Sequence, residues 1–447
     1  MTFDFGCFTM NLSKTDDETK ENQTMQQKQA KKKVILIGAG LRGKIYAQIG
    51  QEIDLFEVVA IAEPIPERRE YVAKQHGLSE KQVFASWEPL IALGKIADAA
   101  IICTMDRDHF APAMAAIEAG YDILLEKPVS PLAEECCAIE QAAKEKGVNV
   151  LICHVLRYTP FFCSLKSLIK EGYVGEVINI EHVEGVGNVH QSHSFVRGNW
   201  SSTEKSSFML LQKSCHDMDI LQWLLDKECK RVHSFGSLTY FREENAPEGA
   251  PEYCIEGCPA ADTCPYNAVK VYLENGSDWF RNAATKKFDP TDEDVERAIR
   301  TTNYGKCVFK CGNDVVDHQV VNLEFEGGTI CSFTMSAFNK GGRQIRIMGT
   351  KGELIGDAQS PFVTYHNFIT GETEQIQIDD QARVDNITGG HGGGDTGIMY
   401  AFYDMLSGKI NPELSNIEIS VKNHIIAFAA EKSRLEGRVV SLDEFAH

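Results

Sequence analysis

An apolar run, Val34 to Ile37, leads directly into Gly38-Ala39-Gly40-Leu41-Arg42-Gly43 and then into a helical stretch. No other feature constrains the fold as much. A strand, a tight turn that only glycines tolerate and a helix N-terminus follow in that order, and together they let backbone N–H groups approach a pyrophosphate. The alternation continues along the chain. Glu57 to Ala62, Ala99 to Cys103, Tyr121 to Leu125 and Val148 to Cys153 read as strands, while Asp108 to Ala119 closes on Gly120 and Pro131 to Lys146 closes on Gly147, with helix start and stop signals. Such spacing predicts βαβ units on a doubly wound parallel sheet, a Rossmann domain over 32–155. Gly38, Gly40, Leu41, Arg42 and Gly43 are then candidate cofactor-binding residues.

Glu63 ends the second predicted strand, about 20 residues past the loop, where a carboxylate hydrogen-bonds the adenosine ribose diol and repels a 2′-phosphate. Because Pro64-Ile65-Pro66 follows instead of an adjacent Arg, NAD is expected over NADP; Arg68 and Arg69 weigh on the other side.

After His154 the pattern changes. Val177 to Val183, Gln319 to Phe325, Thr329 to Met335 and Arg343 to Met348 read as longer strands, with Glu326-Gly327-Gly328 as a hairpin connection. The expectation is an α+β domain over 156–447 with an open, mostly antiparallel sheet, interrupted at about 243–313 by a charged, cysteine-rich insertion without visible periodicity. Residues 1–31 are polar and lack either period, so a disordered extension is expected there.

A chain of 447 residues, 43% hydrophobic and 24% charged, is long enough for two domains with real cores. Its net charge of -19 opposes adsorption to nucleic acid or to an anionic membrane. No apolar run reaches about 18 residues, and the N-terminus lacks the apolar segment of a secretory signal, so a cytoplasmic protein acting on a small molecule is expected.

Glu126-Lys127-Pro128 closes the predicted strand Tyr121 to Leu125, and His216-Asp217-Met218-Asp219-Ile220-Leu221-Gln222-Trp223-Leu224 follows later. With the glycine loop, these segments resemble the glucose-fructose oxidoreductase and inositol dehydrogenase (Gfo/Idh/MocA) family, from about Lys31 to His447. The resemblance implies an NAD(H)-dependent oxidoreductase that moves a hydride between nicotinamide and a secondary hydroxyl of a sugar or polyol. It implies that Lys127 hydrogen-bonds the reacting hydroxyl, that Glu126, Thr104 and His109 lie along the cofactor, and that His216 is a general base. Relatives usually carry a carboxylate four residues before that histidine; here the position is Gln212, which cannot ionise, and Lys213 beside it is a candidate catalytic replacement. The altered site keeps a second reading open, a glycoside hydrolase that uses bound NAD for transient oxidation at C3, elimination and re-reduction.

Arg157-Tyr158-Thr159-Pro160 matches a segment that lines the family's cleft, with a domain-linking salt bridge as the plain alternative. His190, His193 and Arg197 fall in a dense polar-aromatic loop suited to gripping a polyol, and His391 and Asp395 flank a glycine run that could bring them to substrate. A homo-oligomer follows from the family likeness.

Most of the 14 cysteines sit singly in apolar runs, as Cys103, Cys153 and Cys331 do, and read as small buried hydrophobes. Cys254-x3-Cys258-x5-Cys264 with Cys307-x3-Cys311 is different: five thiols where four complete an all-thiolate site. A structural zinc is expected first, an iron–sulfur cluster uses the same ligands, and plain reduced cysteines are the third option. A metal would explain how an insertion without a core of its own holds a shape.

Overall fold

The structure is a computed structural model that describes residues 30–378 and 392–445; nearly all of the expected N-terminal extension and His391 lie outside the described residues. Six strands form the first sheet: β1 (Lys32–Ile37), β2 (Phe56–Ala62), β3 (Val83–Phe84), β4 (Ala99–Ile102), β5 (Asp122–Leu125) and β6 (Val150–Ile152). Their order is β3-β2-β1-β4-β5-β6, and every neighbouring pair is parallel. Strand order reverses beside β1, so a crevice opens where the carboxyl ends of β1, β2, β4 and β5 meet.

Both faces of this sheet are covered, which is why β1 reads as a continuous apolar run and not as an alternation. Val34 and Leu36 pack with Tyr46 and Ile49 of helix Leu41–Glu52, and Ile35 and Ile37 with Ala113 and Ile117 of helix Phe110–Glu118. Helix Gly394–Leu406, from the far end of the chain, returns to the first face, where Phe402 stacks on Phe56 at 5.7 Å between ring centroids.

The second sheet has nine strands: β7 (Val177–Gly185), β8 (Cys229–Ser237), β9 (His318–Phe325), β10 (Ile330–Ser336), β11 (Gly342–Gly349), β12 (Gly352–Asp357), β13 (Phe362–Asn367), β14 (Thr373–Gln377) and β15 (Val440–Ser441). They run in the order β14-β13-β12-β11-β7-β10-β9-β8-β15. Only β7 and β10 pair in parallel, so the sheet is mostly antiparallel as expected. Alternation is clean on β9, where Gln319, Val321, Leu323 and Phe325 are buried and Val320 and Asn322 exposed. Helices Met209–Leu225 and Ile417–Glu436 cover the inner face. The β9–β10 hairpin turns through Gly327 at φ +74°, a conformation that favours glycine. Among the described residues, no helix is long and apolar enough to cross a membrane.

The insertion departs from expectation. It has small cores of its own. Phe241, Tyr266, Val308 and Phe309 pack together in one, and Val271, Tyr272, Val295 and Ile299 in another, with helices Asp278–Thr285 and Asp292–Thr301 contributing to the second. Val295, Ala298 and Ile299 stand at i, i+3 and i+4 on the latter helix, a short amphipathic pattern among the charges that the expectation of an insertion without periodicity leaves out. The segment expected as a polar loop, 189–200, is also different: Asn188–Gln191 and Ser192–Arg197 are helical, and His193 and Arg197 are each 2% exposed.

Candidate active site

The glycine loop lies at the carboxyl end of β1, and two of its glycines are sterically required. A Cβ on Gly38, at φ +87°, would meet the Cys103 carbonyl oxygen at 2.5 Å, and one on Gly43 would meet the Gly38 oxygen at 2.0 Å. Gly40 is different. The nearest atom to its Cβ direction is Arg68 Nη1 at 3.6 Å, and no side chain caps the N-terminus of helix Leu41–Glu52 behind it. The loop therefore offers open N–H groups at a helix start, which fits a dinucleotide pyrophosphate.

Glu63 ends β2 beside this loop, 3% exposed, and its carboxylate accepts from Ala39 N–H at 2.7 Å and from Ile65 N–H at 2.9 Å. The Arg69 guanidinium is occupied with the Glu63 and Pro64 carbonyls. Arg42 turns its side chain away from the loop's mouth: its Nε donates to Glu126 at 2.8 Å, and Nη2 pairs with Asp395 at 2.6 Å. Tyr46 donates to the same Glu126 oxygen at 2.9 Å. Burial alone would raise the Glu126 pKa, but the charge of Arg42, and then of Lys127, holds it below the usual carboxylate range. Arg42 and Asp395 thus tie the glycine-loop helix to the Glu126 segment and to the start of helix Gly394–Leu406.

Lys127 follows Glu126 at the end of β5. Its backbone N–H donates to Glu126 Oε2 at 2.8 Å, the peptide to Pro128 is cis, and the side chain reaches across to donate from Nζ to the Gln212 carbonyl at 2.7 Å. His109 is buried behind this turn, with Nδ1 2.7 Å from the Pro128 oxygen and Nε2 3.1 Å from the Thr104 oxygen, so it braces the two loops against each other. Thr104 itself donates to the Asp108 carbonyl.

Opposite stands helix Met209–Leu225. His216 lies two turns inside it, 5% exposed, not at the helix start where a capping role was the alternative; Phe208 is the N-cap residue. The Lys213 ammonium pairs with Glu184 at 3.2 Å, and Arg343 joins Glu184 at 2.7 Å and Asp217 at 2.8 Å. Burial lowers the Lys213 pKa, although Glu184 opposes the shift. His190 is buried within reach of the same lysines: burial, and then the charges of Lys213, His193 and Lys127, push its pKa well down. The structure brings Lys127, His190, Lys213 and His216 to one junction between the two sheets.

Sequence reasoning missed His154 and His424. The His154 ring lies 5.6 Å from His216 and 5.6 Å from His424, fully buried, and burial pushes its pKa down to about 4. His424 accepts from Val129 N–H on Nε2, so its proton is on Nδ1, which faces the Ser420 carbonyl at 2.7 Å. A polar residue directly after the apolar run ending at Cys153 was the available signal for His154.

Arg157 and Tyr158 take structural partners. Arg157 makes a two-pronged ion pair with Asp219 at 2.6 and 2.7 Å, with side chains 2% and 0% exposed, and Tyr158 meets Ser415 at 3.2 Å. His193 Nδ1 is 2.9 Å from the Tyr272 hydroxyl and its ring stacks on Phe280. Arg197 donates to the Lys306 and Tyr266 carbonyls and points Nη2 at Cys254 Sγ, 3.5 Å away. Cys254, Cys258, Cys264 and Cys307 line one cavity, and Cys311 donates to the Cys307 carbonyl beside it. Among the described residues no three His, Cys, Asp or Glu side chains converge on a point that could hold one metal ion. The zinc expected from the spacing is therefore not supported by the described residues.

Two family models match this chain. An oxidoreductase-family NAD-binding Rossmann fold covers residues 32–154, and the oxidoreductase-family C-terminal alpha/beta domain covers 166–442. The Bacillus subtilis protein YteT is 26% identical over 315 residues, 67% of this chain and 70% of that one. Inositol 2-dehydrogenase 4 of Saccharopolyspora erythraea is 29% identical over 220 residues, 48% of this chain, which spans only 60% of that enzyme's length. In fold, the chain is similar to an oxidoreductase from Agrobacterium radiobacter crystallised with NAD+, L-tartaric acid and magnesium, at a TM-score of 0.67 and 14% identity over 93% of this chain and 99% of the other. Rossmann sheet, uncapped glycine loop, Glu126-Lys127 turn and open C-terminal sheet thus agree with both domain matches, and the chain belongs to the Gfo/Idh/MocA family of oxidoreductases.

Proposed function

We propose that this chain is an NAD(H)-dependent dehydrogenase acting on a secondary hydroxyl of a sugar or polyol. The observation that carries the reading is the reach of Lys127 from the end of β5 to the helix of His216, because it sets an ammonium beside the crevice that the glycine loop opens. Gly38, Gly40, Leu41 and Gly43 would hold the dinucleotide by backbone, with Glu63 on the adenosine ribose and Thr104 and Glu126 along the nicotinamide half. NAD, when bound there, supplies the hydride acceptor. Lys127 Nζ exchanges its contact with the Gln212 carbonyl for the reacting hydroxyl oxygen, and the hydroxyl proton passes to His216 or, where the lysine stands as the neutral amine, to Lys127. Lys213 and His190 line the same pocket and orient neighbouring hydroxyls. Inositol dehydrogenases among the relatives support a polyol substrate.

A reducing, cytoplasmic setting fits the described cysteines, which are all free thiols. A homo-oligomer fits the outer face of the second sheet, where Phe235 and Val320 are exposed as cross-strand partners. The deciding experiment incubates the protein with NAD and a panel of free polyols, sugars and glycosides while NADH and released aglycone are followed together. NADH accumulating from a free polyol or sugar supports the dehydrogenase. Aglycone release without net NADH replaces it with the redox-neutral glycosidase.

A further inference from the structure

The insertion does not stay within its own domain. Helix Asp278–Thr285 ends at Lys286, and the turn that follows, with Lys286 at φ +60° and Asp289 at φ +56°, carries Phe288 onto the Rossmann domain. Left-handed backbone at residues other than glycine is uncommon, so this turn is specified and not incidental. Phe288 is 8% exposed and belongs to the hydrophobic core that Val34, Leu36 and Tyr46 form. Its ring lies 4.9 Å from that of Tyr71 on helix Pro66–Gln75. The Lys44 ammonium of helix Leu41–Glu52 stands over both rings, 4.5 Å from Phe288 and 4.8 Å from Tyr71. These are the two helices whose N-termini follow the glycine loop and Glu63.

Arg68 carries the contact to the loop itself. Its Nε donates to the Lys286 carbonyl at 3.2 Å, and its Nη1 lies 3.6 Å from where a Cβ on Gly40 would stand. Burial lowers the Arg68 pKa, and Glu63 of the Rossmann domain, then Tyr304 of the insertion, oppose the shift. One side chain therefore joins the insertion to the open face of the glycine loop. The other flank of the crevice is crossed as well: Trp200, Ser206 and Ser207 donate to Asp106 at 3.2, 2.8 and 3.1 Å, which pins the loop after β4 to the second domain. At the far end of helix Asp278–Thr285, Trp279 and Phe280 meet His190 and His193 at 4.8 and 4.3 Å between ring centroids. The insertion thus reaches from the histidines near Lys127 to the glycine loop.

We propose that the turn 286–289 of the insertion is a clasp on the cofactor site, walling the adenosine end of the dinucleotide groove and lifting for NAD or NADH to pass. It rests on the proposed binding of NAD at the glycine loop. Glu63 and the loop N–H groups hold the dinucleotide, while Phe288 and Arg68 set how fast it enters and leaves. One aromatic anchor under one cation is a small contact, so it opens without unfolding either domain. A gate of this kind slows entry and exit alike and changes rates more than affinity.

The test uses the full chain, with stopped-flow fluorescence of NADH binding and hydrogen exchange measured with and without NADH. Phe288→Ala should raise the association and dissociation rate constants together, each by about 10-fold, with Kd within about 3-fold, because the aromatic pair and the cation contact are lost. In the unaltered protein NADH should slow amide exchange in 285–289 as well as in 38–43, a readout that does not require the variant to fold. Protection of 38–43 with none in 285–289, or a folded Phe288→Ala whose NADH rate constants match those of the unaltered protein, would overturn the clasp and leave the cofactor site standing. Failure of the unaltered protein to bind NADH would overturn both.

Discussion

The ammonium of Lys127 and the peptide oxygen of Gln212 lie 2.7 Å apart, so the lysine that ends β5 is held by the helix of the opposite sheet at the level of Lys213 and one turn before His216. Neither partner is a carboxylate. The ammonium can therefore leave that carbonyl for a substrate hydroxyl without stranding a buried anion. Lys127→Met should lower kcat by about 10²- to 10⁴-fold, the usual range for loss of a positioned proton-transfer group, while NAD affinity stays within a few-fold. Steady-state kinetics with the preferred alcohol and fluorescence titration of NAD check the two halves separately. A variant that loses NAD binding as severely as turnover would place Lys127 on the dinucleotide instead.

Glu63 already shows the geometry of a carboxylate held at the loop, with both oxygens on backbone N–H groups. A ribose diol can replace one of those donors, whereas a 2′-phosphate meets a fixed negative charge. NAD should thus bind more tightly than NADP. Arg68, whose Nη1 lies 3.6 Å from where a Cβ on Gly40 would stand and whose charge acts on Glu63, is a cation beside the place such a phosphate would occupy. Glu63→Ser should narrow or reverse the preference, and adding Arg68→Ala to it should remove what NADP gained. Equal affinity for both cofactors in the unaltered protein would end this argument.

Where backbone demands a residue type, the sequence was readable. Gly38 and Gly43 have no room for a Cβ, the strand before them is buried on both faces, and the Glu126-Lys127-Pro128 turn falls at a strand end, so local pattern and tertiary position coincide. Side-chain destinations were another matter. Arg42 and Asp395 are 353 residues apart and Arg157 and Asp219 62 apart, and no local spacing predicts that a charge expected at the cofactor or substrate is instead consumed by a distant counter-ion. The strands β12 to β14 were missed because they are short and Gly- and Thr-containing, and β14 leaves four of its five residues exposed. In the insertion, helix Asp292–Thr301 carries a legible i, i+3, i+4 set in Val295, Ala298 and Ile299, but that His193 and Val196 join the two small cores from outside is set by tertiary packing and not by local spacing.

Arg157 and Asp219 provide a direct test of one such destination. Their side chains are essentially unexposed, and Asn423 adds a donor to Asp219 Oδ1 at 2.7 Å. Removing one partner leaves a lone buried charge, so Arg157→Met should cost about 3–5 kcal/mol of stability. The double variant Arg157→Met with Asp219→Leu should recover part of that loss, because no unpaired ion remains. Chemical denaturation measures both. If Arg157→Met instead leaves stability intact and raises only the KM for substrate, Arg157 belongs to the substrate pocket.

His154, His193 and His424 sit inside the protein in neutral form, as His190 does, and they fix the direction of its acid sensitivity. Burial lowers the pKa of His154 to about 4, and of His193 and His424 to about 3, from an ordinary 6.5. The unfolded chain then binds more protons than the folded one between those values. Stability is fully present above about pH 6.5 and falls as pH drops toward 4, by up to about 1.4 kcal/mol per pH unit for each histidine well inside its window. The carboxylate of Asp217, held low by Arg343 and His182 against the upward pull of burial, adds its own loss only at more acid pH, below its ordinary 3.8. Denaturation measured from about pH 7 to about pH 5 should therefore show a continuous loss of stability well before the carboxylates titrate. His154→Leu removes one proton-binding group from the unfolded state and should make that slope shallower by about one histidine's share. A slope unchanged in His154→Leu would mean that His154 titrates alike in both states, and a flat profile in the unaltered protein would mean the same of all these buried histidines.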